Sequence, residues 1–250
     1  MGGATLPIML VAAAVCPCPP LLVPEVAAGA APELEAARAA CTDALGVLAA
    51  SRPDLLVVVG AGERAGERSG RVAYRQGSRG SFRGFGVDLD VRLGQDGDGP
   101  GPGCELPVPL AVGAWLLGRT GWSDAPVEGL AVAAATAPDE CAAAGRDLAA
   151  RSGRVALLVM GDGSACRSLK APGYLDERAE PFDAEVARAL GAADPAGLAA
   201  LDAGLAGELK ASGRAPWQVL AGSAEGAGLS GALLYDDAPY GVGYLVATWS

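Results

Sequence analysis

The chain has 250 residues, enough for one large α/β domain or two small ones, and a compact chain of this length buries roughly 70–75% of its unfolded surface. Half of it is apolar (51%), chiefly Ala, Val and Leu, with only 5% aromatic, a balance that argues against disorder and suits helices packed on a sheet. The net charge of −10, from 29 acidic against 19 basic residues, argues against nucleic acid and anionic membrane as partners.

The first apolar run, Pro7 to Val15, has the pattern of a strand covered on both faces. No Lys or Arg precedes Arg38, so the run lacks the positive region of a signal peptide. It is also shorter than the roughly 20 residues of a spanning helix. The expectation is a buried first strand in a cytoplasmic protein. Cys16-Pro-Cys-Pro-Pro-Leu-Leu-Val-Pro24 follows, and its prolines predict a rigid, extended loop. Pro32 opens a predicted helix reaching about Ser51, with Leu34, Ala37, Cys41, Leu45 and Leu48 on one face. Leu55 to Val59 is a second buried strand, ending at Gly60-Ala-Gly62. Strand, helix and strand together read as a βαβ unit with a parallel pair.

Residues 63–107 read as an irregular, Gly-rich insertion, with short strands around Val72–Arg75 and Val87–Leu93 and a loop from Gln95 to Gly103. The basic residues here (Arg64, Arg68, Arg71, Arg75, Arg79, Arg83) alternate with Gly and Ser and read as a solvated loop. Beyond it the pattern predicts a helix over Leu110–Leu117, a strand over Leu130–Thr136 and a helix from Asp139 to Arg151. A buried strand, Val155 to Met160, comes next, then a helix opening at Phe182 and ending near Gly191. An Ala/Leu helix over Pro195–Ser212, a short one over Trp217–Ala224, and closing strands at Leu233–Tyr235 and Gly243–Trp249 complete the chain. The fold expected is a single three-layer α/β domain over 1–250, with a mostly parallel central sheet flanked by helices and a C-terminal strand pair.

Ligands of open α/β sheets bind beyond the carboxyl ends of the strands, which directs attention to Gly161-Asp-Gly-Ser-Ala-Cys166. Asp162 and Ser164 are its polar groups, but the chain contains no histidine, which excludes a Ser-His-Asp arrangement. Gly60-Ala-Gly62 lacks the third glycine of a dinucleotide fingerprint in register. The six cysteines (16, 18, 41, 104, 141 and 166) have no paired C-x-x-C spacing and read as reduced thiols. If the ends of the first strand and of Val155–Met160 open on one crevice, Cys16, Cys18 and Cys166 converge there, a soft set suited to zinc or copper(I).

In order, the motifs resemble the class III extradiol ring-cleavage dioxygenases, in the subunit-B family of protocatechuate 4,5-dioxygenase. Members begin with a strand running into His-Pro-Pro-Leu-Leu-x-Pro, matched by Cys18-Pro-Pro-Leu-Leu-Val-Pro24. A second strand ending in Ser-Pro-His is matched by Pro53 to Gly62. Gly-Asp-x-Ser-His is matched by Gly161-Asp-Gly-Ser-Ala165, followed by Tyr174 to Ala179, Phe182-Asp183 and Ala238-Pro-Tyr-Gly-Val-Gly-Tyr244. The resemblance implies two histidines and a glutamate on iron(II), with a third histidine as acid/base. In this chain the ligand positions hold Cys18 and Gly62, and the acid/base position holds Ala165. Glu208 and Glu225 both compete for the glutamate position. With the imidazoles gone, the expectation is a catalytically silent relative with no cofactor, retaining a pocket for a small aromatic ligand or a surface for a second subunit or a second copy. The alternative is an active oxygenase or hydrolase with iron(II) or zinc on Cys16, Cys18, Cys166, Asp162 and Glu225.

Overall fold

The computed structural model describes residues 9–62, 70–95 and 105–250. Pro7, Arg64, Gly66, Arg68, Cys104 and most of the Gln95–Gly103 loop lie outside the described residues. The chain opens with β1 (Met9–Cys16), passes through 3-10 turns and α1 (Pro24–Ala27), and enters α2 (Glu35–Ala50). Then come β2 (Leu55–Ala61), β3 (Arg71–Tyr74), β4 (Arg79–Ser81), β5 (Asp90–Arg92), α3 (Val108–Thr120), β6 (Val127–Val132), α4 (Pro138–Ala149) and β7 (Arg154–Met160). The last part holds α5 (Ala179–Gly191), α6 (Pro195–Ala199), α7 (Ala203–Glu208), α8 (Arg214–Ser223), β8 (Gly231–Asp237) and β9 (Tyr244–Trp249).

The expected three-layer α/β architecture is present. Seven strands form one sheet in the order β3-β6-β2-β7-β1-β9-β8. The four central strands are parallel, and β3, β9 and β8 add antiparallel edges. Successive residues of the central strands face opposite layers. Val155, Leu157 and Val159 pack with α4, α5 and α8. Ala156, Leu158 and Met160 pack with α2 and α3. Burial on both sides is why these strands read as unbroken apolar runs rather than alternating ones. Among the described residues, no helix is long and apolar enough to cross a membrane.

Local chemistry sets the helix limits. Pro138 occupies the first turn of α4, followed by Asp139 and Glu140 at the positive end of its dipole. Gly121, at φ 64°, terminates α3 in the left-handed conformation. The expected helix 195–212 is two helices instead. Asp202 leaves helical geometry and caps a new start, its carboxylate accepting from the Leu205 N–H at 2.6 Å. The strand expected at Leu130–Thr136 lies three residues earlier, because Ala133–Thr136 turns towards Pro138 and the start of α4. Within 63–107, β3 extends the main sheet, whereas Val87–Leu93 supplies only the three-residue β5, paired with β4 in a separate ribbon. The Pro32 segment is a 3-10 helix, and α2 begins at Glu35.

The connection after β1 leads through α1 to α2 on one layer, while the loop after its neighbour β7 leads to α5 on the other. Neighbouring connections leaving in opposite directions make the carboxyl ends of β1 and β7 a topological switch point, the place where open α/β sheets bind ligands in a crevice.

Candidate functional site at the carboxyl ends of the central strands

Gly161 continues β7 for one more bond, its N–H donating to the Cys16 carbonyl at 3.0 Å. Asp162 then turns its carboxylate across to the β1 loop, where Oδ1 accepts from the Cys18 N–H at 2.7 Å. The Asp162 N–H donates to Ser212 Oγ at 3.1 Å, and the Gly213 N–H donates to the Asp162 carbonyl at 2.9 Å. The segment leading into α8 thereby forms a third wall. Gly161 is required here because a Cβ would overlap the Gly213 Cα. Burial pushes the Asp162 carboxyl from about 3.8 up to about 6, against the opposing effect of the hydrogen bonds from the Cys18 N–H and the Cys18 thiol. Burial, then the adjacent Asp162, drives the Cys18 thiol well above its ordinary value, so it is a neutral thiol at pH 7. Tyr244, at the start of β9, is raised by burial and by Asp162 and likewise stays neutral.

Ser164 has a different role. Its N–H and Oγ donate to the two oxygens of Asp183, each at 2.7 Å, and Arg167 Nη1 donates to Asp183 Oδ2 at 3.2 Å. Asp183 is 2% exposed, in α5, and a Cβ at Gly243 would come within 2.5 Å of its Oδ2. The 161–168 turn is thus pinned to the start of α5 and to the β8–β9 connection, where the Gly243 N–H donates to the Ser164 carbonyl at 2.9 Å. Ser164 is spent on structure rather than held free as a nucleophile. Asp183 was visible in the sequence only as part of Phe182-Asp183, and its partners lie 16 to 19 positions away.

The three candidate thiols do not converge. Cys16 faces α2, where the contact with the Cys41 thiol is the largest influence raising its pKa. Cys18 faces Asp162 and Ser212. Cys166 belongs to the opposite layer, and its thiol bonds the Leu209 carbonyl at 3.5 Å. Glu225 cannot join any of them. It lies beyond α8 at the amino end of the sheet, beside Met9 and Leu10, and pairs with Arg146 at 2.8 Å. Glu208 pairs with Arg178 at 2.7 Å on the surface. Among the described residues, no group of three or more Cys, Asp or Glu side chains is arranged to hold a metal.

At Gly62 a Cβ would already lie 3.0 Å from the Ala131 Cβ and the Pro107 Cγ, so Pro107 and Ala131 fill the space a larger side chain would need. Ala165 is buried, its N–H donating to Leu209 O at 2.8 Å and its carbonyl accepting from the Gly173 N–H at 2.8 Å. An iron(II) site of two imidazoles and a carboxylate does not fit these positions.

No protein-family model matches the chain, and no curated protein matches it. Among solved structures, it is similar to the crystal structure of an uncharacterized protein from Escherichia coli K12. The TM-score is 0.58 at 14% sequence identity, over 96% of this chain and 100% of that one. At that identity the likeness is one of fold.

Proposed function

We propose that this chain is a class III extradiol-dioxygenase-like protein of the subunit-B type that lacks the ring-opening reaction and uses its carboxyl-end crevice as a binding pocket for a small aromatic molecule. One observation carries the reading. The positions matched to the dioxygenase motifs, Cys18, Gly62 and Ala165, follow three adjacent parallel strands at one end of the sheet, and none of them carries an imidazole. A thiol held neutral, a glycine in crowded surroundings and a buried alanine supply neither the ligands nor the proton carrier of that chemistry. Loss of a general acid/base alone removes about 10²–10⁴-fold in rate. The same reading makes the protein cytoplasmic, consistent with five described cysteines that are all free and buried.

The experiment is metal analysis of protein purified without chelators, combined with an assay for ring opening of catechol and protocatechuate. The expected result is substoichiometric iron and zinc and no ring opening. One iron per chain together with ring opening would overturn the proposal and favour an oxygenase with a non-standard site. One zinc per chain, lost in a Cys16→Ser, Cys18→Ser double variant, would point to a structural thiolate site.

A further inference from the structure

Two carboxylates serve the turn after β7, and their surroundings differ. Asp183 commits both oxygens to protein donors and has a cation, Arg167, beside it. Asp162 accepts from the Cys18 N–H at Oδ1 and from the Cys18 thiol, both neutral donors, and the residue is half-buried where β7 ends. Among the described residues, no Arg or Lys pairs with Asp162. The groups around it are the Cys18 thiol, the Ser212 hydroxyl and the Tyr244 phenol. All three are neutral. A half-buried carboxylate without a counter-ion is costly for the fold to maintain, and a ligand carrying one positive charge removes that cost.

The same surroundings discriminate between kinds of ligand. An anion meets a fixed negative charge. A calcium or magnesium ion seeks several oxygen ligands, and one carboxylate among a thiol and two hydroxyls offers too few. A protonated amine needs one carboxylate and a few neutral acceptors, which is the set present. We propose that the crevice beyond β1 and β7 binds a small aromatic molecule bearing an ammonium group, with Asp162 as the counter-charge. This deepens the pocket reading above and rests on it.

The test uses the full chain at pH 7.5 with three probes of similar shape, benzylammonium, benzyl alcohol and benzoate, followed by calorimetry and ligand-observed NMR. Benzylammonium is expected to bind saturably and at least about tenfold more tightly than benzyl alcohol, the scale of one charge-assisted hydrogen bond, with benzoate not bound. Asp162→Asn should abolish that preference, while Glu225→Gln, at the other end of the sheet, should leave it intact. Equal binding of amine and alcohol, no binding of the amine, or equal weakening by both substitutions overturns the proposal. The last result would mean general attraction to an acidic chain. If Asp162→Asn fails to fold, the amine-to-alcohol ratio of the native chain still decides. The outcomes also separate the two proposals: amine binding together with ring opening sinks only the silent reading, and neither activity sinks only this one.

Discussion

Asp162→Asn should stabilise the protein above neutral pH. The carboxyl is raised from about 3.8 to about 6 in the folded state, so the folded chain binds a proton more tightly than the unfolded one does. The stability this contributes is complete below about pH 4 and is lost as the pH rises through 6. The full difference corresponds to about 3 kcal/mol. Because Asp162 is half-buried rather than fully enclosed, screening reduces the effect to about 1–2 kcal/mol, or a few degrees in melting temperature for a chain of this size. Asparagine keeps an oxygen for the Cys18 N–H and removes the charge, so the bond at 2.7 Å survives. The absence of histidine makes the measurement clean, since few other groups titrate between pH 5 and 8. Urea unfolding of both proteins at half-unit steps from pH 5 to 8 should give curves that separate as the pH rises, with the variant the more stable at pH 8. Parallel curves, or a variant weaker at pH 8, would refute the argument that an uncompensated charge lies there.

Three further outcomes follow from packing. Gly145→Ala should lower stability by about 1–3 kcal/mol or more in urea melts, because a methyl on α4 would overlap the Val219 carbonyl and the Ser223 backbone nitrogen of α8, and backbone cannot yield as a side chain tip can; an unchanged midpoint would contradict this close crossing. Asp183→Ala should cost about 3 kcal/mol by leaving the buried Ser164 N–H and hydroxyl without their acceptor and Arg167 with only its long pair to Glu180, and Asp183→Asn should cost less; a loss confined to binding, with normal unfolding, would mean that Asp183 is not the anchor of this turn. Iodoacetamide at pH 8, read by peptide mapping, should leave Cys16 and Cys18 unmodified until urea is added, since both thiols are buried and raised above their ordinary value; rapid alkylation of Cys18 in the native protein would show an activated thiolate.

The sequence alone was sufficient for the layer architecture. Continuous apolar runs such as Val155–Met160 can be buried only between two helical layers, and the Leu34-to-Leu48 stripe marks a helix that covers one of them. It also pointed to the carboxyl ends of these runs as the place for a site, because ligands of open α/β sheets bind beyond the carboxyl ends of the strands. Composition excluded imidazole chemistry outright. Short-range chemistry was harder to read: the Ala/Leu periodicity of 195–212 concealed the cap at Asp202, whose carboxylate competes for the backbone more strongly than propensity indicates.

What only the tertiary structure decided was which side chains meet. Cys18 and Asp162 are 144 positions apart and Cys18 and Ser212 still more, and no local pattern encodes such contacts. Cys16, Cys18 and Cys166 look alike in sequence, yet one faces α2, one faces the crevice and one packs in the opposite layer. Glu225 and Glu208 were equivalent candidates until the fold put Glu225 at the amino end of the sheet and Glu208 in a surface ion pair. The physical reason is common to all of these. Burial patterns are written residue by residue, so the elements can be read from the chain, whereas the environment of a charge is set by whatever the fold packs around it. Asp162 is an ordinary aspartate in the sequence and becomes an uncompensated one only between β1, β7 and the start of α8.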